Sequence, residues 1–255
     1  MVKRLIFCFV LTALSAFVLL SQAFSTEQLT PNQIKTIINA SLDVMIPESG
    51  EMKYIMINQK PDKKDVQYEF HVYIKNKTKT LMEVIYPASQ KGRKILNNGD
   101  DIWMYLPKSK QTIRLSFKQD LMGGEASNVD VMSLDLLNDY TIALLKTEEL
   151  NNNECYVFEL KAKDKQKAYD RVLYWVKKAG SVPLRREMYT ISGTMLKILR
   201  YEGFKTVNSR EAPTRMIIEN ALDPAYKTII EWSNVIKKDN IPDKYFTLEY
   251  LKSGR

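Results

Sequence analysis

Two-residue alternation governs most of this chain and restricts its fold to one built from strands. Over residues 66–74 one face carries Val66, Tyr68, Phe70, Val72 and Ile74, while Gln67, Glu69, His71 and Tyr73 take the other. A period of two marks a strand with one face in a core. The polar turn Lys75-Asn76-Lys77-Thr78 follows, and Met82, Val84 and Tyr86 resume the pattern. Residues 92–117 read as three strands: one before the turn Asn97-Asn98-Gly99-Asp100, one at 102–106 ending on Pro107, and one at 111–117. Asn-Gly turns between alternating runs are strong hairpin signals. Further strands are expected at 156–162, 171–177, 184–189, 195–204, 215–220 and 227–235. Short turns join them, so the arrangement is an antiparallel meander rather than strand–helix–strand units.

Helices are expected to be few. Thr30 before Pro31 is a helix start, and Ile34, Ile37, Ile38, Ser41, Leu42 and Met45 follow helical spacing up to Pro47. A second helical stretch is expected at 129–137 and a short turn at 242–246. The fold class is therefore mainly β (α+β), a curved antiparallel sheet with a few helices. A twisted open sheet of roughly ten strands tends to curl. Its concave side must then be filled by side chains, covered by helices or occupied by a ligand. Periodicity alone favours the many aromatic residues as core filling over a groove lining, and it does not tell which face is concave.

Lys3 and Arg4, an apolar run over residues 5–20 and then Ser21-Gln22-Ala23 form the three parts of a secretory signal. Cleavage is expected after Ala23, leaving one domain over residues 24–255. The segment reads as bacterial export. Cys8 lies near the start of the apolar run, whereas a lipid-attachment cysteine would close it. Loss of Lys3 and Arg4 lowers the formal charge from +8 to +6. Cys155 is then the sole cysteine, so no internal disulfide forms and a small buried hydrophobe is its expected role.

Catalytic signals are missing. His71 is the single histidine and has no metal-ligand spacing around it. The chain lacks nucleophile-elbow, phosphate-loop and metalloprotease motifs. Asp100-Asp101 and Glu148-Glu149 are expected in turns or helix ends as solvated charge. Basic residues interleave with acids, as over residues 161–167, which disfavours nucleic acid. The loop Leu121-Met122-Gly123-Gly124-Glu125-Ala126-Ser127-Asn128 is apolar and flexible in backbone. It fits either a movable flap over a groove or a hairpin tip tucked against the core.

Three blocks carry a resemblance. Trp103-x-Tyr105-Leu106-Pro107 followed by Met122-Gly123-Gly124-x-x-Ser127-Asn128-x-Asp130 is the first. The second is Pro183-Leu184-Arg185-Arg186-Glu187-Met188-Tyr189 with Gly193 and residues 196–201. The third is Ile241-Pro242-Asp243-Lys244-Tyr245-Phe246-Thr247 with Tyr250-Leu251. In this order they resemble the LolA-like outer-membrane lipoprotein-sorting proteins. The resemblance implies an incomplete barrel wrapped around helices, with a hydrophobic cavity between them. It also implies a periplasmic, monomeric, non-enzymatic carrier without cofactor. The cargo would be lipid or lipoprotein acyl chains, carried from an inner-membrane transporter toward an outer-membrane acceptor. The expected lining is Phe70, Tyr86, Trp103, Tyr105, Leu121, Met122 and Phe158, with Gly123 and Gly124 as the hinge of a flap. The competing expectation is an envelope sensor or interaction module that docks on a membrane partner such as a transporter.

Overall fold

The computed structural model describes residues 28–99, 101–132, 135–165, 167–207 and 209–253. The expected export segment and its cleavage site lie outside the described residues, as does Asp100 of the expected turn. Helix α1 (Pro31–Asp43) comes first, then β1 (Gly50–Gln59), β2 (Val66–Lys75), β3 (Lys79–Tyr86), β4 (Lys94–Asn97), β5 (Ile102–Leu106) and β6 (Gln111–Leu115). Two short helices, α2 (Asn128–Met132) and α3 (Leu136–Asp139), precede β7 (Tyr140–Leu150), β8 (Asn153–Ala162), β9 (Arg171–Lys177), β10 (Val182–Tyr189) and β11 (Met195–Glu202). The chain ends with β12 (Lys205–Val207), β13 (Arg210–Ala212), β14 (Arg215–Asn220), β15 (Lys227–Lys237) and α4 (Leu248–Lys252).

Thirteen strands form one antiparallel sheet in the order β6-β5-β4-β3-β2-β1-β15-β14-β11-β10-β9-β8-β7, and β12 and β13 form a separate hairpin. Two meanders are thus joined where β1 pairs with β15, with Met56 opposite Ile230. Laid flat, thirteen strands would span about 58 Å at the usual spacing of about 4.8 Å. This sheet is not flat. Leu115 of β6 and Tyr140 and Phe158 of β7 and β8 join the same buried cluster as Met56, Phe70 and Ile230 from the middle. Residues from both margins meet in one core only if the sheet curls toward that face. Strands β6 and β7 remain unpaired with each other, so the barrel is incomplete.

Helix α1 lies inside the curl. A reciprocal capping box starts it: Thr30 Oγ1 accepts from the Gln33 amide at 3.3 Å, and the Thr30 amide donates to Gln33 Oε1 at 2.8 Å. It buries Ile34, Ile38, Ser41 and Leu42 and stops at Asp43, ahead of Pro47. Leu121, Ala126, Val131, Met132 and Leu136 also lie inside. They belong to the connection from β6 at one margin to β7 at the other.

The outer face is apolar in two places. Leu81, Leu96, Trp103 and Tyr105 are covered by the C-terminal segment through Ile241, Phe246 and Leu251. Lys94 fastens that cover, its Nζ donating to the Ser253 carbonyl at 2.7 Å, and its ammonium lies 4.8 Å from the centre of the Tyr250 ring. Cys155, Val157, Leu173 and Trp175 make the second patch.

Three expectations need correction. Strands β1 and β7 were not anticipated, and the stretch expected as one helix at 129–137 contains α2 and α3 as separate elements. Glu148 and Glu149 lie within β7 rather than in a turn, and Glu148 accepts a hydrogen bond from the Trp175 indole. Burial of Leu251 generates a stability prediction. Leu251→Ala is expected to lower unfolding stability by about 2–4 kcal/mol, measured by urea titration, because the C-terminal cover loses its anchor.

Candidate functional site

The inner face of the curl is apolar with a polar seam, and strand alternation decides which side chains reach it. On β5, Ile102 and Met104 point inward, which sends Trp103 and Tyr105 to the outer face against the C-terminal segment. Phe70, Leu121 and Phe158 are fully buried in the inner cluster, with Met122 packed against it. Tyr86 ends β3 at 49 % exposure. The structure therefore brings four of the seven expected lining residues to one face and separates Trp103, Tyr105 and Tyr86 from them.

The loop at 121–128 is tied to the centre of the sheet. Asn58 of β1 donates to the Met122 carbonyl at 3.1 Å, and Thr228 of β15 donates to Asn58 Oδ1 at 2.9 Å. Thr228 Oγ1 in turn accepts from the Glu125 amide at 2.8 Å, and Asn220 donates to Glu125 Oε2 at 3.1 Å. Within the loop the Leu121 amide donates to the Ala126 carbonyl at 2.7 Å. The two glycines have different tasks. Gly123 adopts φ of +73°, and a Cβ there would meet nothing within 4 Å. At Gly124 a Cβ would come within 2.1 Å of Asn58 Oδ1, so Gly124 permits close approach of loop to sheet. The geometry is that of a tip tucked against the core.

Deeper along the inner face runs the polar seam. Asp130 of α2 accepts from Tyr169 Oη at 2.8 Å, from the Ser127 amide at 2.7 Å and from Lys197 Nζ at 3.3 Å. Tyr174 donates to Ser41 of α1 at 2.9 Å. Arg186 stacks over Tyr174 and Tyr201, its guanidinium carbon 4.4 and 5.7 Å from the ring centres. None of these polar residues was anticipated as part of a site. One signal was available: Arg185 and Arg186 are neighbours in a strand, so one of them must face inward. Burial pushes the Tyr140 hydroxyl from 10.0 up to about 12 and that of Tyr169 well above its usual value.

Two spaces adjoin this face. A void of about 40 Å³ lies within, between α2, α3 and β9–β11. A larger, open cavity of about 590 Å³ lies at one end of the curl. Residues 43–48 at the end of α1 and beyond it, the β12–β13 hairpin and the far end of β15 surround it, and Met45 and Trp232 bring core surface to its floor. Lys205, Arg210 and Lys237 stand around it with Asp43 and Glu48. Among the described residues no cluster of His, Cys, Asp or Glu is arranged to hold a metal ion. His71 lies on the outer face, stacked 4.5 Å from Tyr73, and Cys155 is buried with its thiol pushed up by burial.

An incomplete antiparallel barrel with one helix and a crossing loop inside it defines the structural class. A LolA superfamily protein from Nitrosomonas europaea is 31 % identical, with 85 % of this chain and 98 % of that one aligned at a TM-score of 0.76. This chain therefore belongs to the LolA superfamily. A family model described as "Uncharacterized protein" matches residues 76–253. The same fold occurs in a DUF1329 family protein from Desulfovibrio piger (24 % identity, TM-score 0.75, 86 % and 98 % covered). It occurs again in a putative outer membrane lipoprotein-sorting protein domain from Vibrio parahaemolyticus (22 %, 0.73, 86 % and 97 %). No curated protein matches the chain. Among the described residues no helix is long and apolar enough to cross a membrane.

Two measurements follow from the inner face. Gly124→Ala is expected to cost about 1–3 kcal/mol through overpacking against Asn58 and Thr228. Gly123→Ala should cost about 1 kcal/mol through its positive φ alone, and urea titration ranks the two. The raised tyrosines set an alkaline limit. Their folded pKa lies above the unfolded one, so their contribution is whole below pH 10.0 and for Tyr140 is lost as pH rises to about 12. Unfolding midpoints measured across that window are expected to fall, with tyrosinate absorbance appearing together with unfolding.

Proposed function

We propose that this protein is an exported, periplasmic, non-enzymatic carrier that lodges acyl chains of a lipid or lipoprotein and conveys them toward the outer membrane. The observation that carries the reading is the 590 Å³ cavity, whose floor is continuous with the apolar interior of the curl. Its volume lies in the range of about 300–1,000 Å³ usual for small-molecule sites. Membership of the LolA superfamily and the secretory-signal pattern of residues 1–23 support the reading.

The mechanism is shielding. Transfer of a fourteen-carbon chain out of water is worth about 11 kcal/mol, at about 0.8 kcal/mol per methylene. A site that recovered all of it would not release its cargo. Here α1 and the loop at 121–128 already occupy much of the interior, so cargo displaces protein side chains rather than water alone. That competition lowers net affinity and leaves release to an acceptor possible. Of the anticipated lining, Phe70, Leu121, Met122 and Phe158 belong to this interior. The tight filling around α1 also favours a second reading, an interaction module docking on a membrane partner such as a transporter.

A fluorescent fatty-acyl probe separates the two. Saturable binding to the purified protein, weakened about tenfold by Val207→Trp at the cavity mouth, supports the carrier. Absence of binding, with no lipid co-purifying by mass spectrometry, favours the docking module.

A further inference from the structure

Inside the curl, Arg186 carries a positive charge that forms no ion pair with an acid side chain among the described residues. It is 7 % exposed, and its Nε and Nη2 have no hydrogen-bond partner. A guanidinium held this deep is costly unless its donors are satisfied. Two tyrosine faces offset part of that cost. Neighbouring acids are already engaged. Asp130 is taken by Lys197, Tyr169 and the Ser127 amide. Asp139 pairs with Lys167, and Asp135 accepts from the Asn138 amide at 3.3 Å and its Nδ2 at 2.8 Å.

Arg186 borders the inner void of about 40 Å³, large enough for a small polar group. Val172, Met188 and Leu199 of the sheet form one wall of it, and Val129 and Leu136 of α2 and α3 form the opposite wall. Helices of five and four residues have little stability of their own, so that second wall depends on its tertiary contacts, which include the Asp130 bonds and the Asn97 side chain donating to the Met132 carbonyl at 2.8 Å.

We propose that Arg186 receives an oxyanion borne on the hydrocarbon cargo, a fatty-acid carboxylate or an alkyl phosphate. The Nε and Nη2 hydrogens lie along one edge of the guanidinium and match two oxygens of such a head group. The first carbons of the tail then replace Val129 and Leu136 against Val172, Met188 and Leu199. This inference rests on the carrier reading and narrows its cargo to anionic amphiphiles.

The test compares hexadecanoate, hexadecyl phosphate, hexadecanol and inorganic phosphate by calorimetry on the purified full chain. The two amphiphilic anions are expected to bind about tenfold or more tightly than hexadecanol. Arg186→Met is expected to abolish that preference, and Arg186→Lys to retain part of it. Wild-type protein supplies a readout that needs no variant: carboxyl-labelled hexadecanoate bound to it, followed by carbon NMR, should titrate below its value in detergent micelles. Equal binding of acid and alcohol, or a preference that survives Arg186→Met, overturns the Arg186 assignment and leaves the carrier standing. Binding of inorganic phosphate as tight as that of hexadecyl phosphate overturns the link between head group and tail. Failure of all three amphiphiles to bind overturns the carrier reading itself.

Discussion

The pairing of β1 with β15 is the contact on which the architecture depends. It joins residues 50–59 to residues 227–237 and so places the first and last long strands side by side at the centre of the sheet. Once that pairing exists, β6 and β7 are driven to opposite margins although only residues 116–139 separate them in sequence. Those residues have to cross the inner face, and they take α2, α3 and the glycine loop with them. What lies inside the curl is therefore a consequence of strand order.

A segment crossing an apolar surface must satisfy its own backbone groups. The sheet provides for this with Asn58 and Thr228, two polar residues on inward positions of the two central strands, which bond to the loop and to each other. Each such bond contributes about 0.5–1.5 kcal/mol net, but leaving one unmade in the interior would cost more. The same reasoning sets Arg186 apart. Lys197 on the inner face pairs with Asp130, whereas Arg186 is held by aromatic faces.

Local pattern made much of the fold legible. Residues 171–177 and 215–220, short apolar runs between polar ends, are strands to the residue, and Thr30-Pro31 marks the start of α1. The curl followed from the number of strands. Strand β7 escaped because Ala143-Leu144-Leu145-Lys146-Thr147-Glu148-Glu149 is composed largely of good helix formers, and pairing with β8 overrides that preference. Which face of β5 turns inward could not be read locally, since Trp103 and Ile102 are both apolar. The outer position of Trp103 and Tyr105 exists only because the C-terminal segment returns to cover them. Arg186 was hidden for a related reason: adjacent arginines in a strand read as surface until the partner strands assign their faces.

Because no hydrogen bonds join β6 to β7, nothing quantises the girth of this protein. In a closed barrel the strand number and stagger together dictate the bore. Here the gap between the margins is spanned by side-chain packing and by the crossing segment, which adjust in small steps rather than whole registers. The circumference can widen or narrow without a single strand pair being broken.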